Sequence, residues 1–238
     1  MKLATHLFLL FIGLYESTQP ANAKSLDLYL SGKSKIGFVL CHGGGAYPDW
    51  KVVGHLRKSL NASELEAHTN SLQMPTATGI WTNYLKTFPD ATRRIHEGIT
   101  FLKKRGVDTI ILIGHSMGSR MATYFLASEK NHGVKLFVGL GMRNNGGEGL
   151  NVISNILKIN IPVLDIYGSG GNGRDFKYGQ ERNAASIHHR EQIVIRGANH
   201  KFDGYGAELN KAIVGWVKSN LDLNTKSNVR AIQRVGKK

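Results

Sequence analysis

An apolar run, Thr109-Ile110-Ile111-Leu112-Ile113, leads directly into Gly114-His115-Ser116-Met117-Gly118, and that pentapeptide leads into Ser119-Arg120-Met121-Ala122-Thr123-Tyr124-Phe125-Leu126-Ala127. The first run reads as a buried strand and the last as a helix. A strand, then G-x-S-x-G, then a helix is the setting of a nucleophile elbow. The turn is so tight that its flanking positions must be nearly free of side chain, and Gly114 and Gly118 meet that demand. The serine then sits at the tip, with the positive end of the following helix behind it. Ser116 is therefore the candidate nucleophile. A serine hydroxyl is weak at neutral pH, so the chain must also supply a base, an acid to orient that base, and an oxyanion hole.

The rest of the sequence repeats the same alternation. Strands are expected at Leu26 to Leu30 (an edge), Lys35 to Cys41, Ala67 to Leu72, Val134 to Leu140, Ile161 to Tyr167 and Gln192 to Ile195. Helices are expected at Asp49 to Leu60, Thr92 to Arg105, Leu150 to Ile159, Phe176 to Ile187 and Ala207 to Leu221. Near-continuous apolar strands such as KIGFVLC are those buried on both faces. Alternation of such strands with amphipathic helices specifies an α/β fold, a doubly wound and mostly parallel sheet with helices on both faces. No internal repeat or linker divides it. Between Ser71 and Asp90 the pattern is irregular, with Trp81, Tyr84 and Phe88 on one helical face; the packing reading leads there, with a lid or acyl-pocket wall as the minor alternative.

The base is expected to be His200, in Gly197-Ala198-Asn199-His200-Lys201-Phe202, a loop between the last strand and the last helix. In a parallel sheet that loop lies at the C-terminal edge, as the elbow does. His115 lies inside the elbow and should point away from the cleft, and His188 and His189 sit at a helix end. For the oxyanion hole, one N–H belongs to Met117, the residue after the nucleophile. The other belongs to His42-Gly43-Gly44-Gly45, with Gly44 the choice and Gly45 the alternative.

On His42-Gly43-Gly44-Gly45, Gly114-His115-Ser116-Met117-Gly118, Ile161-Pro162-Val163-Leu164-Asp165-Ile166-Tyr167-Gly168 and Gly197-Ala198-Asn199-His200, the chain resembles the α/β-hydrolase superfamily, in particular its compact bacterial esterase and dienelactone-hydrolase-like members. The resemblance runs from about Leu26 to Leu221. It implies the order nucleophile, acid, histidine, and an acid a few residues past the glycine that follows the Ile161 to Tyr167 strand. That place is Gly170-Gly171-Asn172 here and holds no carboxylate. Asp175 in the same glycine-rich loop is the first candidate, Glu148 the second and Asp165, within the strand, the third; a Ser-His pair without an acid is the fourth outcome. Gly168-Ser169-Gly170-Gly171-Asn172-Gly173 has the form G-x-G-x-x-G, but it comes too late in the chain to be a dinucleotide fingerprint and reads as the acid-bearing loop.

Composition sets the surroundings. Hydrophobic content of 41% over 238 residues is enough for one sizeable core. The single cysteine, Cys41, excludes an intramolecular disulfide and a multi-cysteine metal site, and it reads as a buried filler. Lys2, the apolar stretch Leu7 to Tyr15 and Ala21-Asn22-Ala23 form a signal peptide of bacterial type, so residues 1–23 are expected to be removed, leaving a periplasmic or secreted protein from Lys24. Its loss takes one positive and one negative residue, Lys2 and Glu16, so the formal charge of +14 stands. Such a charge draws a protein to anionic envelope surfaces. No aromatic-interleaved basic patch points to a specific nucleic acid. Basic residues concentrate only in residues 223–238, read as a frayed tail or a short terminal helix. Asn61-Ala62-Ser63 has the form of a glycosylation sequon and is taken as chance. The expected activity is cleavage of a small carboxylic ester or thioester through an acyl-enzyme on Ser116, by a monomer that needs no metal or organic cofactor. The reading from another class is a catalytically weak or inactive member of the fold that binds anionic envelope components.

Overall fold

The computed structural model describes residues 27–185 and 187–235, the stretch 222–235 as backbone only; the expected signal peptide lies outside the described residues. Seven strands form one sheet: β1 (Leu28–Leu30), β2 (Ile36–Cys41), β3 (His68–Leu72), β4 (Thr109–His115), β5 (Val134–Leu140), β6 (Val163–Gly168) and β7 (Arg190–Ile195). Their spatial order is β1-β3-β2-β4-β5-β6-β7. Only β1 runs antiparallel, against β3; every other pairing is parallel. Leu28 and Leu30 of β1 are partly exposed, as expected of a short edge strand.

Six α-helices cover the two faces: α1 (Lys51–Asn61), α2 (Phe88–Lys103), α3 (Met117–Ser128), α4 (Val152–Ile156), α5 (Arg174–Ala184) and α6 (Gly206–Val235). Val52 and Leu56 of α1 and Leu209, Ile213 and Val217 of α6 pack on Phe38, Leu40, Ile111, Ile113 and Val138. On the opposite face, Ile95 and Ile99 of α2, Phe125 of α3 and Ile156 of α4 pack on Val39, Leu112, Phe137 and Val163. Each such side chain, taken wholly out of water, contributes about 1.5–3 kcal/mol. From β2 the chain steps outward to β3, then returns past β2 to lay down β4 and continues in the other direction. The reversal point therefore falls between β2 and β4, where open α/β sheets form a crevice at their C-terminal ends. His42-Gly43-Gly44-Gly45 leaves β2 there, and the elbow leaves β4 there.

Several boundaries differ from expectation: α5 spans Arg174–Ala184 rather than Phe176 to Ile187, which puts Asp175 in its first turn instead of the loop, and three further differences have a visible cause. A 3-10 helix at Trp81–Thr87 leads into α2, which begins at Phe88 because Pro89 suits the first helical turn and Asp90 suits its positive end. Helix α4 is shorter, since the Asn151 side chain caps it by accepting from the Ile153 and Ser154 N–H groups. The expected tail after residue 222 is not set apart, because α6 continues as one helix to Val235.

Candidate active site

The elbow is built as its glycines require. A Cβ on Gly114 would lie 2.6 Å from the Ser119 Cα, and one on Gly118 would lie 2.3 Å from the Cys41 carbonyl oxygen, so neither position admits a side chain without moving backbone. Ser116 adopts φ 53° and ψ −112°, a region that side-chain-bearing residues rarely occupy. The neighbouring backbone holds it there: its N–H donates to the Leu140 carbonyl at 2.9 Å, and Ser119 Oγ closes the turn on the Gly114 carbonyl at 2.6 Å. Strain of this kind persists only where surrounding structure over-determines it.

His200 and Asp175 meet the serine. His200 Nε2 lies 2.8 Å from Ser116 Oγ, and His200 Nδ1 lies 2.6 Å from Asp175 Oδ2. A carboxylate can only accept, so Nδ1 carries the proton and Nε2 presents its lone pair to the hydroxyl. Asp175 stands in the first turn of α5, where a negative charge complements the helix dipole. The glycine-rich loop is what delivers it. Cβ atoms on Gly168 and Gly170 would lie 2.1 Å and 2.2 Å from the carbonyl oxygens of Ala198 and Gly197, so the loop after β6 lies directly against the loop that carries His200. Hydrogen bonds join the two: Gly170 N–H donates to the Ala198 carbonyl (2.9 Å) and Gly197 N–H to Ser169 Oγ (3.0 Å). The other two acid candidates are elsewhere. Glu148 is exposed, and Asp165 is wholly buried beneath α5, bound by Arg182, Arg190 and Gln192.

The loop after β2 is pinned by its histidine. His42 Nδ1–H donates to the Gly43 carbonyl (2.8 Å), while Nε2 accepts the Met74 N–H (3.0 Å), so the ring ties this loop to the exit of β3. Burial holds its pKa below the ordinary value and keeps it neutral for that role. Gly44 and Gly45 line one cleft together with Ser116 and Met117. A Cβ on Gly44 would stand 3.5 Å from the Met117 Cβ, so the two residues expected to supply the oxyanion donors are neighbours. The first N–H groups of α3 have no acceptor within the helix. His115 points away from the cleft, as expected: its Nε2–H donates to the His200 carbonyl at 2.8 Å. Its Nδ1 has no partner, and burial, aided by His200, depresses its pKa to about 4. It is thus a neutral prop under the loop that carries His200. Cys41, fully buried, has its thiol pKa pushed up by desolvation and is a filler. Asn61 donates to the Ser31 and Ala67 carbonyls, a packing role.

The cleft beside Ser116 has a volume of about 410 Å³. Trp81 and Tyr84 form part of its wall, while Phe88 turns into the core, so the aromatic stripe divides between the two readings. Sequence reasoning passed over Arg120, Arg143 and Arg174, which also line it. One signal was available for Arg120: it lies four residues beyond Ser116, in the first turn of α3. Among the described residues, no group of His, Cys, Asp or Glu side chains is arranged to hold a metal ion.

The fold is that of the α/β hydrolases. Among solved structures the chain is similar to Est1E from Butyrivibrio proteoclasticus with ferulic acid bound (TM-score 0.65, 14% identity, over 82% of this chain and 94% of that one). It is also similar to a dienelactone hydrolase from Anabaena variabilis (0.63, 17%, over 80% and 89%) and to an alpha-beta serine hydrolase homologue from Coxiella burnetii (0.58, 20%, over 79% and 88%). The chain belongs to the DUF3530 family, described as a protein of unknown function, whose profile matches residues 73–219. No curated protein matches the sequence.

Proposed function

We propose that the protein is an exported serine hydrolase that cleaves a carboxylic ester or thioester, with Ser116 as nucleophile, His200 as base and Asp175 as the orienting acid. The observation that carries this reading is the continuous chain from Ser116 Oγ through His200 to Asp175, at 2.8 Å and 2.6 Å, at the N-terminus of α3. His200 Nε2 takes the hydroxyl proton as Oγ attacks the carbonyl carbon. The negative charge that develops on the carbonyl oxygen is met by the N–H groups of Met117 and Gly44. His200 then returns the proton to the departing alkoxide or thiolate as the tetrahedral centre collapses to an acyl-serine. A water, deprotonated by the same imidazole, releases the acid and restores Ser116. Asp175 keeps the imidazole in the tautomer that faces the serine and stabilises the cation that forms in each half-reaction. The reading as an inactive binder of anionic envelope components drew on the lack of an acid at the usual place and on the charge of +14; the 2.6 Å contact of Asp175 with His200 favours the hydrolase over it.

A fluorophosphonate probe tests the assignment. Purified protein should label at Ser116, and Ser116→Ala should take no label and lose ester turnover. Equal labelling of the two would sink the reading. Export rests on the character of residues 1–23. The N-terminal residue of protein recovered from cells should be Lys24, and recovery of chains that still begin at Met1 would refute cleavage.

A further inference from the structure

The cleft walls carry more positive charge than the hydrolase chemistry uses. Arg120 is 3% exposed, yet among the described residues no carboxylate pairs with it. Its Nη1 donates to the Asn145 and Leu150 carbonyls (2.5 and 2.6 Å) and its Nη2 to Asn145 Oδ1 (2.7 Å). A guanidinium has five donor hydrogens, so Nε–H and one Nη2–H remain, and the Trp81 ring covers the group at 4.8 Å. A guanidinium stays ionised in proteins, and burying it without a counter-charge is costly. Arg182, also buried, shows the ordinary solution: its Nε and Nη2 both donate to the Asp165 carboxylate at 2.8 Å. Arg143, on the same cleft, has Nε 3.7 Å from Asp175 Oδ1, a carboxylate already engaged by His200. Arg174 stands exposed at the rim, and among the described residues no acidic side chain lines this cleft.

We propose that the substrate is an ester bearing a carboxylate near the scissile bond, and that Arg120 and Arg143, helped by Arg174 at the rim, bind that carboxylate. This rests on the hydrolase reading above and names the substrate class of that site. One uncompensated buried positive charge calls for one negative charge, and a planar carboxylate matches the fork of a guanidinium. The low-dielectric walls beside Ser116 concentrate the attraction, so the charge selects and orients the ester. The binding energy of this remote group is then available to position the carbonyl for attack.

Two pairs of chromogenic or chromatographically followed esters test the proposal, one for each side of the scissile bond. On the acyl side, 4-nitrophenyl 4-carboxybenzoate is compared with 4-nitrophenyl 4-carbamoylbenzoate. On the leaving side, 4-carboxyphenyl butyrate is compared with 4-carbamoylphenyl butyrate. In at least one pair the carboxylate ester should have a kcat/KM about tenfold or more above its neutral isostere, after correction for spontaneous hydrolysis. Arg143→Gln and Arg174→Gln should each lower that ratio; the rim residue should lower it less, because solvent screens it. Arg120→Gln should lower it most, and the other two variants carry the test if this one fails to fold. Protein that labels with fluorophosphonate at Ser116 and shows no preference in either pair would overturn the carboxylate subsite and leave the hydrolase reading standing. A preference that survives all the folded arginine variants would also overturn it. Absence of both label and turnover would take down the hydrolase reading and this inference together.

Discussion

Two aspartates of the same β6–α5 unit, Asp165 and Asp175, are both buried, at 0% and 5% exposure, and they do opposite things. Asp165 is saturated. Its oxygens accept from Arg182 twice (2.8 Å each), from Gln192 (2.7 Å) and, more weakly, from Arg190 (3.4 Å). Through Arg182, which also donates to the Met142 carbonyl and Asn144 Oδ1, it fastens β6, α5 and the loop after β5 to one another. Asp175 has spare capacity. One oxygen holds His200; the other has no hydrogen-bond partner, only Arg143 at 3.7 Å. The difference teaches that burial alone does not single out the carboxylate proposed for catalysis. A closed network confers stability, whereas an acid with a single histidine partner and a solvent-reachable base beyond it can take part in chemistry.

The comparison can be broken outright by exchanging each carboxylate for its amide. Asp175→Asn should lower kcat by roughly 10³–10⁴ while the urea midpoint hardly moves, because the amide favours the wrong imidazole tautomer. If turnover stays within tenfold of the unaltered protein, the orienting acid is another group. Asp165→Asn should do the reverse. It leaves two buried guanidiniums short of their counter-ion, a loss of roughly 3–5 kcal/mol of folding stability, and molecules that remain folded should still label at Ser116. A large fall in labelling rate with unchanged stability would reverse the roles assigned here. The third expectation sharpens the contrast through pH. His115 has a folded pKa of about 4 against an ordinary value of 6.5, so as pH falls the unfolded chain takes up its proton first. Stability should therefore decline from about pH 6.5 to about pH 4 and level off below, by up to about 3 kcal/mol from this one ring. In denaturation series across that range, His115→Gln should flatten the slope. Asp175, a minor influence that favours the charged ring, should when replaced by Asn extend the decline to lower pH; replacement of Asp165 should not.

What could be read from the chain follows the range of the forces involved. The elbow, the glycines after β2 and the loop of His200 were legible because each is a local pattern whose backbone demands show in neighbouring residues. Their convergence followed from the parallel sheet. Which carboxylate, if any, meets His200 is open in the sequence among Asp175, Glu148 and Asp165, because the answer depends on how Gly168 and Gly170 let one loop lie on the backbone of another, a contact between segments distant in sequence. The two roles of the aromatic stripe, Trp81 and Tyr84 at the cleft and Phe88 in the core, depend on where the 3-10 helix hands over to α2. Arg120, Arg143 and Arg174 were invisible as a set, since α3, the loop after β5 and the start of α5 contribute one each. Helix α4 was overestimated because apolar periodicity continues past the Asn151 cap and the closing turn that confine it.

β7 is the outermost strand on its side of the sheet, held through β6 alone, and the loop behind it carries His200. Edge elements open locally at a smaller free energy than the core. The loop of His200 and the loop before Asp175 are hydrogen-bonded to each other, so an opening of that edge withdraws both side chains from Ser116 at once, while the elbow, on the central β4–β5 pair, keeps its shape. Heat or mild denaturant would thus switch the machinery off as a single latch releasing, well before the body that carries the serine comes apart.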